Sequence, residues 1–176
     1  MYLGIAGPIG SYDLGDWALL QSNIESFNDD FDIILFTYDE WKTREAVNRM
    51  DYNESIKDII DISDICPIDP DIPSNVNITI NSIYSGYSRS SSTSRVTDHI
   101  EKVDHLLVTG GAYFNNAWGH DFLPITTLIQ EATSKGVGVT ISGINLGPCN
   151  KVERAYLVEA LSDVDTITLR SDNPSE

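Results

Sequence analysis

Short apolar runs alternate with amphipathic stretches along most of this chain, and that alternation constrains the fold more than any other feature. Tyr2-Leu3-Gly4-Ile5-Ala6, Asp32 to Tyr38, His105 to Thr109, Val137 to Ile141 and Thr166 to Arg170 are short, apolar and extended in character. Between them lie segments with helical spacing. Trp17, Ala18, Leu19 and Leu20, followed by Ile24 and Phe27, predict a helix over 16–27, and Phe122, Ile125, Leu128, Ile129 and Ala132 share one face of a helix over 121–134. A third helix is expected from Val152 to Leu161, with short helical pieces around 40–50 and near Ile56–Ile60. Strand–helix alternation of this kind predicts an α/β fold: a Rossmann-like, mainly parallel sheet of about five to seven strands with helices on both faces. At 176 residues the whole of 1–176 reads as a single domain, long enough to bury a core.

The middle of the chain reads differently. Pro67, Pro70 and Pro73 interrupt it, and Val76 to Ile83 alternates apolar and polar residues as a half-exposed strand does. Residues 85–95 are Ser-rich and polar and read as a mobile surface loop. Arg89 and Arg95 lie there, two of only eleven basic residues, so the loop could also act as a lid that meets an anion.

In a parallel sheet ligands meet the carboxyl ends of the strands. Four of the predicted strand ends carry glycine or polar groups: Gly7 to Asp16, Gly110 to Asn116, Gly143 to Gly147 and Arg170 to Ser175. The first is a glycine-bearing loop between strand and helix, which lets a ligand approach the backbone beside the positive helix end. Without a ligand it would be a tight turn. Asp16 stands at the expected N-cap; there it either caps the helix or, facing a ligand hydroxyl, acts as a general base. Asp13 could accept hydrogen bonds in the same way. Arg170 suits a bidentate grip on a carboxylate or phosphate, or a salt bridge to a nearby acid. Tyr113, Phe114 and Trp118 could stack on a ligand ring or cap the core. His120 sits in a loop where it could titrate near neutrality, whereas His99 and His105 read as surface and structural residues.

Twenty-seven acids against eleven bases give a net charge of −16, which opposes nucleic-acid binding by phosphate neutralisation. The acids are scattered and read as a solvated surface. The two cysteines, Cys66 and Cys149, lie far apart and form no pairing or zinc motif, and no histidines and carboxylates have metal-ligand spacing. No cofactor and no metal are expected. No apolar run approaches the ~20 residues of a membrane span, and no signal peptide opens the chain, so a cytoplasmic location is expected.

The four loops, in this order and spacing, resemble the amino-terminal half of the polysaccharide pyruvyl transferase family. That family opens with a strand and a Gly-x-x-Gly-x-x-Asn-x-Gly-Asp loop, matched by Gly7 through Gly10 to Gly15-Asp16, with Asp13 at the asparagine position. An aspartate, a strand and a glycine cluster follow, matched by Asp104, Leu106 to Thr109 and Gly110-Gly111, with Ala112 in place of a third glycine. A Gly-Ile-Gly-Pro-like turn is matched by Gly143-Ile144-Asn145-Leu146-Gly147-Pro148, and an Arg-Asp-x-x-Ser-like element by Asp165 to Ser175.

The resemblance implies a transferase that moves a pyruvyl group from phosphoenolpyruvate onto two hydroxyls of a sugar in a cell-surface or exopolysaccharide precursor. It implies a GT-B-like architecture of two facing Rossmann-like domains, of which this chain is the first. Gly10, Asp13, Gly15 and Asp16 would then shape one wall of the substrate site. Gly110, Gly111, Tyr113 and Asn115 would form its base, and Asn145 and Arg170 its rim. The family's donor-binding basic residues and proposed catalytic histidine lie mainly in the second half, so this chain alone is expected to lack full activity. An isolated first domain is also expected to leave apolar surface near its carboxyl end and to self-associate through it. Two other readings stand beside this one. A non-catalytic module would bind a glycan or a partner subunit, and a nicotinamide-binding Rossmann domain would use Gly4, Gly7 and Gly10, with Asp39 on the ribose.

Overall fold

A computed structural model describes residues 1–7, 9–10, 14–50, 54–63, 65, 92–114 and 122–170, with the backbone alone for Ser92, Thr93, Ala112, Tyr113 and Val152. The described elements run β1 (Tyr2–Ala6), α1 (Leu14–Phe27), β2 (Asp32–Thr37), α2 (Glu40–Val47), β3 (Ile56–Asp61), α3 (Ser92–Ile100), β4 (His105–Phe114), α4 (Phe122–Ser134), β5 (Gly138–Leu146), α5 (Lys151–Ala160) and β6 (Thr166–Leu169). The six strands form one sheet in the order β3-β2-β1-β4-β5-β6, and every neighbouring pair is parallel. The fold is α/β and Rossmann-like. Its strand order reverses direction between β1 and β4, which makes a topological switch point there.

Helices cover both faces because the chain first steps one way across the sheet and then the other, and right-handed crossovers send those helices to opposite sides. On one face Leu20 and Ile24 of α1 and Val47 of α2 pack with Leu3, Ile5, Ile33 and Leu35. On the other, Val96 and Ile100 of α3, Leu128 and Ile129 of α4 and Tyr156 of α5 pack with Ile34, Phe36, Leu106, Val108 and Ile141. Burial on two faces is why β2 reads as a continuous apolar run. The edge strand β6 is exposed throughout, and Ile167 and Leu169 leave 40% and 46% of their surface open. Apolar surface therefore does lie near that end of the described chain.

Several local expectations need correction. Ile56–Ile60 is a strand, not a helix. Its partners step from Ile33↔Ile56 to Ile34↔Asp58, so Lys57 is an extra residue at a bulge. A bulge on an edge strand breaks the period of two and leaves Ile56, Ile59 and Ile60 at a spacing that mimics a helix. Ser92 to Arg95 belong to α3 rather than to a loop, because Val96 and Ile100 bury in the core and draw the preceding turn into the helix; 85–91 and the strand expected at 76–83 lie outside the described residues. Finally, β4 does not stop at Thr109 but runs through Gly110 and Gly111 to Phe114, whose ring is fully buried.

Two aspartates set the amino ends of the strands. Asp104 precedes β4 and accepts a hydrogen bond from the Tyr2 amide of β1 at 2.7 Å. Asp165 precedes β6 and accepts from the Val139 amide of β5 at 2.8 Å. Each also returns its own amide, to the Tyr2 and Val139 carbonyls respectively. The pair occupies the aspartate positions of the family pattern, yet stands at the end of the sheet opposite the glycine loops. Asp165→Ala is expected to cost about 1 kcal/mol, a lost hydrogen bond to a partly buried amide, and Asp165→Asn clearly less, because its amide oxygen still accepts. Thermal melts of the two variants check this. Among the described residues no helix is long and apolar enough to cross a membrane.

Candidate functional site at the carboxyl edge

All six strands being parallel, their carboxyl ends share one edge, and Gly10, Gly110, Gly143 and Arg170 lie towards it. The edge is tightest at the switch point. A Cβ on Gly7 would stand 2.8 Å from the Thr109 carbonyl oxygen and 2.9 Å from its Oγ1, so the backbone leaving β1 approaches mid-β4 as only glycine permits. Gly10 has φ of +94°, and a Cβ there would meet the Asp39 backbone nitrogen at 2.8 Å.

A buried hydroxyl pair holds this loop against β2. Thr37 Oγ1 donates to the Ile9 carbonyl at 2.8 Å, and the Tyr38 amide donates to the same oxygen at 2.9 Å. Thr37 Oγ1 and Thr43 Oγ1 stand 2.7 Å apart, and Thr43 Oγ1 lies 2.8 Å from the Asp39 carbonyl. Both threonines are fully buried. Sequence reasoning passed over them and over buried Thr109, although a threonine ending an apolar strand run is a legible sign of a polar group held at a strand end.

Asp39 is the N-cap of α2. Its carboxylate accepts from the Lys42 amide and pairs with the Lys42 ammonium, both at 2.9 Å. Those contacts, the amide first, hold its carboxyl below the usual range. Asp16 is not an N-cap. α1 begins two residues earlier at Leu14, so Asp16 lies half-buried in the first turn, where a negative charge still favours the helix dipole. Gly15 precedes it in the same turn. Leu19, one turn further on, covers Gly110, where a Cβ would come within 2.8 Å of its Cδ1.

Beyond the switch point the edge is shaped by glycines with positive φ, Gly111 at +123° and Gly143 at +67°. The Gly143 amide donates to Thr168 Oγ1 at 2.9 Å, and the Arg170 amide to the Ile144 carbonyl at 2.9 Å. These bonds bring half-buried Asn145 and exposed Arg170 side by side. Among the described residues Arg170 makes no ion pair. Tyr113 lies in β4; Asp13, Asn115, Trp118 and His120 lie outside the described residues. From β2, which carries Thr37, to β6, which leads to Arg170, there are four strand steps, or about 19 Å at ~4.8 Å each. The predicted residues thus form two groups, one around Gly10, Asp16 and Gly111 and one around Asn145 and Arg170, along a single edge.

A separate depression of about 490 Å³ opens at the amino end, lined by Glu101, Val103, Asp104, Lys135, Gly136 and Val137. Its one cation is committed: Lys135 Nζ is 2.7 Å from Glu101 and 3.8 Å from Glu131. The glycine loops and the strand topology place the better candidate at the carboxyl edge. Cys149 is half-buried with its Sγ 3.7 Å from the Phe114 carbonyl, and burial pushes its thiol up, away from a nucleophile's range. Among the described residues no three histidine, cysteine or acidic side chains are grouped to hold a metal.

No protein-family model matches the chain, and no curated protein is significantly similar to it.

Proposed function

We propose that the chain is the amino-terminal, Rossmann-like half of a polysaccharide pyruvyl transferase, acting in the cytoplasm on a cell-surface or exopolysaccharide precursor. The observation that carries this reading is the position of the described parts of the four segments that resemble the family: Gly7 and Gly10, Gly110-Gly111, Gly143 to Asn145 and Arg170 lie towards one edge of the parallel sheet, at and beside its switch point. In the reaction two sugar hydroxyls add to the central carbon of phosphoenolpyruvate. One hydroxyl proton goes to the methylene carbon, which becomes a methyl group, and the other leaves with phosphate as the cyclic ketal closes.

An edge about 19 Å long suits an extended glycan better than a single sugar ring. Asp16, in the first turn of α1, would accept the acceptor hydroxyl's proton. Arg170, exposed and without an ion pair among the described residues, would grip a carboxylate or phosphate. In this reading a second domain, GT-B-like in its facing arrangement, supplies most of the positive charge for the phosphoenolpyruvate anion. That fits the low basic content here. Self-association would use the open β6 edge.

The test is phosphate release from phosphoenolpyruvate by the complete gene product with a panel of glycans. Arg170→Ala is expected to lower kcat/KM about 10²-fold, and Asp16→Ala to lower kcat in the same range. Undiminished transfer by both folded variants would reduce the two residues to structural parts.

The strand order also favours a second reading, a nicotinamide-binding domain. Against it, the Asp39 carboxylate is engaged by the α2 cap, and α1 starts seven residues beyond Gly7, whereas a dinucleotide fingerprint opens its helix within the glycine motif. Micromolar binding of a nicotinamide dinucleotide would promote that reading over the transferase.

A further inference from the structure

An ion-pair network outside the candidate site joins three elements at the β3 edge. Asp58 of β3 lies at its centre. Arg44 of α2 donates to Asp58 Oδ1 at 3.1 Å and to Glu40 Oε1 at 2.9 Å. Arg95 of α3 reaches Glu40 Oε2 at 2.8 Å and Asp58 Oδ1 at 3.5 Å. Both guanidinium groups also donate to the Ile59 carbonyl at 3.2 Å. The last member is His99, one turn further along α3. Its Nε2 is 2.9 Å from Asp58 Oδ2 and its Nδ1 is 2.7 Å from the Arg95 carbonyl oxygen.

Both partners of the His99 ring are acceptors only. A neutral imidazole has one N–H, so in either tautomer one ring lone pair would face an oxygen at under 3 Å. Only the doubly protonated ring satisfies both contacts. Its side chain is 13% exposed, so water offers little replacement. From these contacts we infer that His99 makes the docking of α3 on the β3 edge pH-dependent: fast with the ring charged, loosened when it loses a proton. This inference does not rest on the proposed transferase.

Among the described residues, the other charges facing this junction fix the sign. Asp58 comes from β3, Glu40 and Arg44 from α2, Arg95 from α3, and Glu131 of α4 reaches α3 through Thr97. Burial works to raise the Asp58 and Glu40 carboxyls, but their hydrogen bonds and cations outweigh it and hold both below the usual range. Both stay ionised through mildly acidic conditions. Their contribution is lost only as pH falls through the depressed carboxyl range. The imidazole contribution runs the other way: it is complete while the ring carries both protons and is lost when rising pH removes one of them. α3 is held best where both carboxyls are ionised and the ring carries both protons.

Amide hydrogen exchange read by NMR tests this. Protection factors of Val96 to Ile100, corrected for intrinsic exchange and referenced to Leu106 and Val108 of β4, are expected to fall about three- to tenfold between about pH 5.5 and about pH 8. His99→Gln keeps a donor towards Asp58 but does not titrate, so its α3 protection should be flat over the same range. Ring nitrogen spectra of the unaltered protein provide a readout that needs no variant: both nitrogens protonated where α3 is protected, and one deprotonated where that protection falls. α3 protection that is independent of pH, a ring already neutral at the lower pH, or an undiminished pH effect in His99→Gln would each overturn the inference.

Discussion

Phe36→Ala is expected to lower stability by about 3–5 kcal/mol, the largest effect of any single side-chain truncation considered for this chain. The ring is fully buried in β2, in the core between the sheet and α3, α4 and α5. The neighbouring strand has made room for it. A Cβ on Gly4 of β1 would lie 3.1 Å from Phe36 Cε2, 3.0 Å from Leu106 Cδ1 and 3.2 Å from Val103 Cγ1. Gly4→Ala should therefore overpack the native core, yet cost less, or even stabilise, once Phe36 is gone. Urea titrations of the two single variants and the double variant read that coupling. Strict additivity would show that the two positions do not share the space.

Gly10→Ala should cost about 2–4 kcal/mol and shift the melting temperature by about 5–12 °C. Two causes add. The φ of +94° is one that alanine rarely adopts, and the new methyl would meet the Asp39 nitrogen at 2.8 Å, a backbone atom held in the α2 cap. The loop cannot yield easily, because Ile9 is fastened by both the Thr37 hydroxyl and the Tyr38 amide. A loss under about 0.5 kcal/mol, the size of an ordinary surface change, would mean that the loop relaxes freely and is no rigid wall of a site.

Much of this fold was legible because parallel strands buried on two faces leave a plain sign, short apolar runs such as Ile33 to Phe36. The misreadings share one physical origin: tertiary contacts that the local pattern does not contain. The bulge at Lys57 gave β3 helical spacing. Burial of Phe114 carried β4 through two glycines that read as the end of the strand. Arg95, polar by composition, is ordered by Glu40 and Asp58 from elsewhere in the chain. The edge on which the candidate residues lie was legible too, since a parallel sheet presents all its carboxyl ends together. The details within it were not. Asp16 moved from the cap into the first turn, and Thr37 and Thr43, which hold the glycine loop, have no motif of their own.

The most direct test of the central claim, that the carboxyl edge is the ligand edge, is amide NMR mapping of this chain titrated with neutral oligosaccharides. The expected result is saturable shifts at Gly10, Asp16, Gly111, Gly143, Asn145 and Arg170, with the amino-end amides of Glu101, Lys135 and Gly136 unmoved. Shifts confined to those amino-end residues, or no saturable shift along the edge with any oligosaccharide, would contradict it.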